Sequence, residues 1–232
     1  MEKDLKFDAF KDVLSLTMED MSRELFQGNR EIIKIKKEGV AVKNLVKILN
    51  AALKLSSEKG FAAMSLRDLS AEAGLSMGAL YTYFTSKEEL LHMIQRQANV
   101  VAQVLLVQIK GIDNPRIKLR RVIQAHLYLS EVMQPWFYFA YMEAKNLAKE
   151  EQKKAIESEL LTEKILIDIM KEGQEKGVFK AANIELTGAV IKAMLQDWYL
   201  KRWKYARRKV TVEKYAAFLI DLIESYLTAP QS

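Results

Sequence analysis

Cysteine is absent from the 232 residues, which removes disulfides, thiolate zinc sites and cysteine nucleophiles together and suits a reducing cytoplasm. Proline occurs three times and glycine nine, while Leu, Ala, Lys, Glu and Met abound. Long helices with few breaks are therefore expected, and no convincing alternating strand stands out. No apolar run reaches the roughly 18 residues that a membrane span requires. The start Met1-Glu2-Lys3-Asp4 is charged, unlike a secretory leader, so a soluble cytoplasmic protein is expected. Only two histidines occur, His92 and His126, far apart in sequence, and no carboxylate–histidine spacing of a metal site is present. No nucleophile–base arrangement is visible either. The reading is no metal, no cofactor and no enzyme.

What the chain does have is basic charge, formally +6 with a pI near 9.2, which favours a polyanionic partner. Its length suits a small head on a larger body. Phe7, Phe10, Leu14, Met21 and Leu25 trace one amphipathic helix before a break at Gly28-Asn29 and a basic stretch, Arg30, Lys34, Lys36 and Lys37. Val42, Leu45, Leu49, Ala52 and Leu53 then line one face of a helix closing at Gly60. Two short helices follow, Leu66–Ala73 behind Ser65 and Met77–Phe84 behind Ser76, with Gly74 as the turn. Ser86-Lys87-Glu88-Glu89 reads as a capping box opening a long helix, with Leu90, Leu91, Ile94, Ala98, Val101, Ala102, Leu105 and Ile109 as its apolar stripe to Gly111. Helices near 115–133, 136–142, 151–176, 184–206 and 212–228 complete an all-α body.

The two short helices hinged at a glycine form a helix-turn-helix, whose second helix fits a major groove about 12 Å wide. Leu69, Ala73, Leu75, Leu80 and Phe84 are spaced to make its core. The opposite face offers Met77, Gly78, Ala79, Thr82 and Tyr83, mostly small or hydrogen-bonding, with Tyr81 and Lys87 flanking as phosphate donors.

The run Leu69-Ser70-Ala71-Glu72-Ala73-Gly74-Leu75-Ser76-Met77-Gly78-Ala79-Leu80-Tyr81-Thr82-Tyr83-Phe84-Thr85-Ser86-Lys87-Glu88-Glu89-Leu90 resembles the signature of the tetracycline-repressor (TetR) family. The likeness extends over about 50 residues, Val42 to Leu91, and beyond them rests on helix count and length. It implies an N-terminal three-helix helix-turn-helix head at 41–91 behind an extension at 1–40, and a larger helical-bundle body at 92–232 for ligand binding and dimerisation. It implies that Ser65 and Arg67 touch backbone, that Tyr81 and Lys87 bind phosphates, and that Ser76, Met77, Gly78, Ala79, Thr82 and Tyr83 approach bases. The function it implies is a homodimeric repressor on a near-palindromic double-stranded operator, with recognition helices about 34–36 Å apart, released by a small-molecule effector. Ser70 stands where alanine is usual, and a buried Ser70 would need a backbone partner.

The body carries three further features. Leu127, Tyr128, Leu129, Met133, Trp136, Phe137, Tyr138, Phe139, Tyr141 and Met142 exceed what one helix face buries. They are either ordinary core or an effector pocket, with His126, Met133, Trp136, Phe137, Phe139 and Tyr141 as the ligand candidates and an acyl thioester or other apolar molecule as the ligand. Lys201, Arg202, Lys204, Arg207, Arg208 and Lys209 are either a solvated helix end or an anchor for an anionic head group. Ile191, Leu195, Leu219, Leu222 and Tyr226 are the expected dimer contacts. For the first 40 residues, docking on the own or a partner subunit is favoured over a membrane surface, because Asp8, Asp12, Glu19 and Asp20 would repel anionic lipid.

Overall fold

In chain order the helices are α1 (Phe7–Val13), α2 (Met18–Gly28), α3 (Glu38–Lys59), α4 (Leu66–Ala73), α5 (Met77–Leu80), α6 (Lys87–Gln95), α7 (Asn99–Ile109), α8 (Pro115–Val132), α9 (Gln134–Glu143), α10 (Lys149–Glu175), α11 (Ile184–Leu200), α12 (Arg202–Arg207) and α13 (Val212–Leu227). This computed structural model describes residues 5–14, 17–95, 99–180 and 182–228, and among them there is no strand. Thr17, Ser65, Ser76, Asn114, Asn183 and Thr211 open α2, α4, α5, α8, α11 and α13, each accepting a backbone N–H of the first turn.

The chain divides into two packed units. The helix-turn-helix unit comprises Leu14–Ala98 and Pro135–Ala155; the bundle unit comprises Met1–Val13, Asn99–Gln134 and Ile156–Ser232. The single helix expected over the first 28 residues is two, because Thr17 and Asp20 form a reciprocal capping box that starts a new helix. The two fall in different units. Residues 135–155, expected in the body, pack with the helix-turn-helix unit: Phe139 meets Phe61 edge to face at 5.5 Å and Gln95 Nε2 donates to the Ala140 carbonyl at 3.1 Å. The long helix expected from Ser86 to Gly111 is described as α6 and α7, and Ala98 lies outside the described residues.

In the helix-turn-helix unit α3 is the spine. Leu45, Ile48, Leu49 and Ala52 are buried on its inner face, and α2 covers it with Met21, Leu25 and Phe26. Each large apolar side chain so buried contributes about 1.5–3 kcal/mol. Arg23, Gln27 and Arg30 converge on Glu38 and pin α2 across the start of α3.

In the bundle unit α8 packs against α1, α7, α11 and α13. Trp198 is fully buried, stacked on Tyr205 (4.9 Å) and Tyr215 (5.1 Å), with its indole N–H donated to Glu131. The helix expected over 184–206 breaks at Lys201 into α11 and α12, and Tyr205 on α12 completes that stack.

Candidate DNA interface and effector body

Gly74 sits at φ 63°, the left-handed conformation that ends α4 and turns the chain into α5. Leu69, Ala73, Leu80 and Phe84 are buried beneath the two helices. Ser70 finds the partner its position demands, donating its hydroxyl to the Leu75 carbonyl at 2.5 Å. The second helix is shorter than expected: hydrogen bonding is helical over Met77–Leu80 and continues as turns through Tyr83.

On the outer side Ser76 Oγ accepts from the Ala79 N–H at 3.2 Å, Gly78 and Tyr81 are exposed, and Met77, Ala79 and Thr82 are partly so. Thr82 donates its hydroxyl to the Ala79 carbonyl at 2.6 Å, while its own carbonyl accepts from the Lys34 N–H at 2.8 Å. Ser65 Oγ and N–H both engage Asp68, whose carboxyl is held well below the usual range by the Lys59 ammonium and then by the Ser65 N–H and hydroxyl. Arg67 is exposed and makes no ion pair among the described residues.

Two candidates are turned toward partners within the unit. Tyr83 is buried, its hydroxyl accepting from Asn44 Nδ2 at 3.0 Å, and burial pushes that phenol up; it cannot reach a base edge. Lys87 directs all three ammonium hydrogens inward, to the carbonyls of Phe61 (3.2 Å), Ala62 (2.8 Å) and Met64 (3.1 Å), the loop after α3. The expected capping box is half present, for Ser86 Oγ accepts from the Glu89 N–H but Glu89 reaches Thr85 instead. Lys87→Met should therefore lower the stability of the helix-turn-helix unit by about 2–3 kcal/mol, the cost of unmaking charged hydrogen bonds at three carbonyls. Its binding to DNA, per folded molecule, should keep the wild-type salt slope in an anisotropy titration; a shallower slope would return Lys87 to the phosphate contacts.

Sequence reasoning left Lys34, Lys36 and Lys37 off the candidate interface. All three are exposed, and the Lys34–Thr82 backbone bond fixes their segment beside the end of α5. The signal was there as a basic stretch, without anything to say where it would fold.

The six ligand candidates do not share one packed unit. His126 and Met133 belong to the bundle unit, and Trp136, Phe137, Phe139 and Tyr141 to the other. Phe139 is committed to Phe61, and Tyr141 is exposed. Trp136 is buried edge to face with Phe137 at 5.4 Å, and its indole N–H has no hydrogen-bond partner among the described residues. His126 lies buried 3.4 Å from the buried Lys192 Nζ, which also pairs with Glu159 at 3.3 Å. Burial first, and then the Lys192 charge, hold His126 well below its ordinary value, so the ring is neutral.

Of the basic cluster, Lys201 and Lys204 are paired with Asp197 and Arg202 with Glu131, leaving Arg207, Arg208 and Lys209 exposed. The dimer candidates divide in the same way. Ile191, Leu195 and Leu219 are buried in the protomer's own core and unavailable to a partner, whereas Leu222 and Tyr226 are 48% and 50% exposed.

The family description "Bacterial regulatory proteins, tetR family" matches residues 48–94, and "Tetracyclin repressor-like, C-terminal domain" matches residues 113–225. The TetR-family regulator PfmR of Thermus thermophilus is 34% identical and superposes with a TM-score of 0.69, covering 78% of this chain and 99% of that one. The chain belongs to the TetR family. It is a transcriptional regulator with a helix-turn-helix, not an enzyme. The HTH-type transcriptional regulator HbdR of Aromatoleum sp. (strain CIB) is 25% identical over 183 residues, 78% of this chain and 80% of its own. FadR of Bacillus subtilis, solved with stearoyl-CoA, is 21% identical with a TM-score of 0.63, covering 78% of this chain and 98% of that chain; the likeness is one of fold. No described helix is long and apolar enough to cross a membrane.

Proposed function

We propose that the chain is a homodimeric repressor that holds a near-palindromic operator in the cytoplasm through α4 and α5 and releases it when an acyl thioester binds the body. The observation that carries the DNA reading is the outer side of α5. Gly78 and Ala79 leave the backbone bare for close approach, Ser76 and Thr82 supply hydroxyls, and Arg67, Tyr81, Lys34, Lys36 and Lys37 surround them with donors free to meet phosphates. Met77 adds an apolar contact of the kind that suits a thymine methyl.

Dimerisation is supported by an apolar surface on the last helices. Leu186 and Val190 on α11 and Phe218, Leu222 and Tyr226 on α13 are all exposed at spacings of four, a stripe that a second copy would cover as a four-helix interface. Leu222→Glu should sediment as a monomer at micromolar concentration with its helical content intact; a dimer would move the interface elsewhere.

For the effector, the support is the apolar and aromatic surplus of residues 127–142, the unpartnered Trp136 indole N–H, and the acyl-coenzyme A bound to a relative of the same fold. A ligand changes operator affinity only by as much as it discriminates between DNA-bound and DNA-free arrangements, typically about 1–3 kcal/mol. The test is a thermal-shift screen of acyl thioesters, free fatty acids and small polar metabolites, followed by operator retardation with the hits. Stabilisation by thioesters with loss of retardation is expected. Stabilisation by the polar set alone overturns the effector class, and retardation that no compound relieves overturns induction.

A further inference from the structure

Within the bundle unit, α1, α8 and α13 wall a half-open cleft of about 230 Å³. It exists because α1 is held across the other two helices. The Phe7 and Phe10 rings pack edge to face on Tyr128 at 5.3 and 5.8 Å, the Tyr128 hydroxyl donates to the Leu5 carbonyl at 3.0 Å, and the Phe7 N–H donates to Glu213 at 3.3 Å. Beneath this roof, Arg120, Gln124 and Tyr128 line up at spacings of four on one face of α8, opposite Glu213 and Asp221 on α13.

Gln124 decides the reading. It is 7% exposed, it lines the cleft, and its amide makes no hydrogen bond with any described residue. The amide, free of protein partners among the described residues, offers both a donor and an acceptor to whatever enters the cleft. Lys6 and Asp221 bring an ammonium and a carboxylate to the same cleft, neither in an ion pair among the described residues. The Arg120 guanidinium, by contrast, is committed to Glu224. A purely anionic ligand would meet Glu213 and Asp221, and a purely cationic one would meet Lys6 and Arg120. A dipolar molecule finds an opposite charge for each of its own. The volume falls below the range of about 300–1,000 Å³ typical of drug-sized sites, so the occupant is a small metabolite.

We propose that this cleft binds a free α-amino acid or a close dipolar analogue. Lys6 receives the carboxylate, Glu213 and Asp221 receive the ammonium, and Gln124 bonds the polar atom between them. Its ligand clamps α1 onto α8 and α13.

The test is calorimetric titration and thermal shift of the full chain with the proteinogenic amino acids at millimolar concentrations, beside acetate, phosphate and ethylamine. Expected is saturable binding by one chemical subset of the amino acids and none by the single-charge compounds. Gln124→Leu and Lys6→Ala should each weaken binding roughly tenfold or more, the loss of one hydrogen bond or charge. Gln124→Leu should also melt close to wild type, since it breaks no hydrogen bond to a described residue, so the loss cannot be ascribed to unfolding. Absence of saturable binding by every amino acid means a water-filled cleft and overturns the proposal. So does an equal response to acetate or ethylamine, or binding that both variants leave unchanged. The acyl-thioester screen has no bearing on these outcomes.

Discussion

Gly78→Glu should abolish operator binding without destabilising the protein. Gly78 is exposed at the second position of α5, its φ lies outside the left-handed region, and a Cβ there would meet only Ser76 Oγ, at 4.0 Å. The added side chain therefore has room, and exchanging glycine for glutamate in a helical turn is worth roughly 0.5–1 kcal/mol in the protein's favour. On DNA the same carboxylate faces phosphates and base edges and competes with the phosphates for the nearby cations, which should reduce affinity roughly 100-fold or more at physiological salt. Fluorescence anisotropy with the chain's own promoter fragment reads the binding, and thermal melting reads the fold. Gly78→Ala, adding one methyl, should fall between the two. Wild-type affinity in Gly78→Glu would mean that the outer side of α5 is not what meets DNA.

The expected contrast between Gly78 and its neighbours marks how far the sequence alone could be read. Helix starts were legible wherever a short side chain caps a first turn: Ser65, Ser76, Asn183 and Thr211 are all caps in the structure, because a cap is a local event decided within four residues. The glycine hinge was legible for the same reason. What the pattern could not give was which of several exposed-looking side chains turn inward. Tyr83 and Lys87 belong to the signature stretch, yet their partners are Asn44 and the carbonyls of Phe61, Ala62 and Met64, which lie 23 to 39 residues away in sequence. A side chain within the motif's run can hold the motif together from inside.

The aromatic segment was open between core and pocket for a related reason. Phe139 was grouped with its sequence neighbours as pocket lining, but a helix distributes consecutive residues around its circumference, and Phe139 faces Phe61 while Tyr141 faces solvent. Of the expected dimer contacts, Ile191, Leu195 and Leu219 carry the protomer's core, while Leu222 and Tyr226 lie on an exposed apolar line with Leu186, Val190 and Phe218. Apolar periodicity locates a buried face without saying whether its cover comes from the same chain or from another. α1 shows the converse. Its docking on α8 depends on Tyr128, some 120 positions along the chain, and nothing local to residues 1–40 points there.

Neutralising Glu224 should produce the largest loss of stability of any single polar change in the bundle unit, and it should do so with a distinctive pH signature. The carboxylate, only 8% exposed, is gripped by Arg116 Nη2 at 2.6 Å and by both Nε and Nη2 of Arg120, tying α13 to α8. Burial alone would push its carboxyl up, but the bonds from Arg120 and Arg116 outweigh it and hold the group at about 2. A carboxyl so depressed stabilises the fold fully above its unfolded value near 4.5, and loses that contribution as pH falls from 4.5 toward 2. The difference corresponds to about 3 kcal/mol. Glu224→Gln keeps the shape and removes the charge, leaving two guanidinium groups near each other. Because Arg116 and Arg120 are 44% and 34% exposed, they can turn to water, which places the cost at the lower end of the roughly 3–5 kcal/mol seen for breaking a buried pair. For a chain of this size that is a fall in Tm of about 6–12 °C at pH 7. Asp197, held at about 2 by Lys201, Lys204 and Tyr205 against its burial, titrates over the same range, so the wild-type acid limb alone does not isolate Glu224. The difference between the two proteins does: the gap in Tm should be full at pH 6–7 and close progressively below about pH 4.5. A gap that stays constant down to pH 3 would mean that the Arg116–Glu224–Arg120 arrangement holds α13 by shape and not by charge.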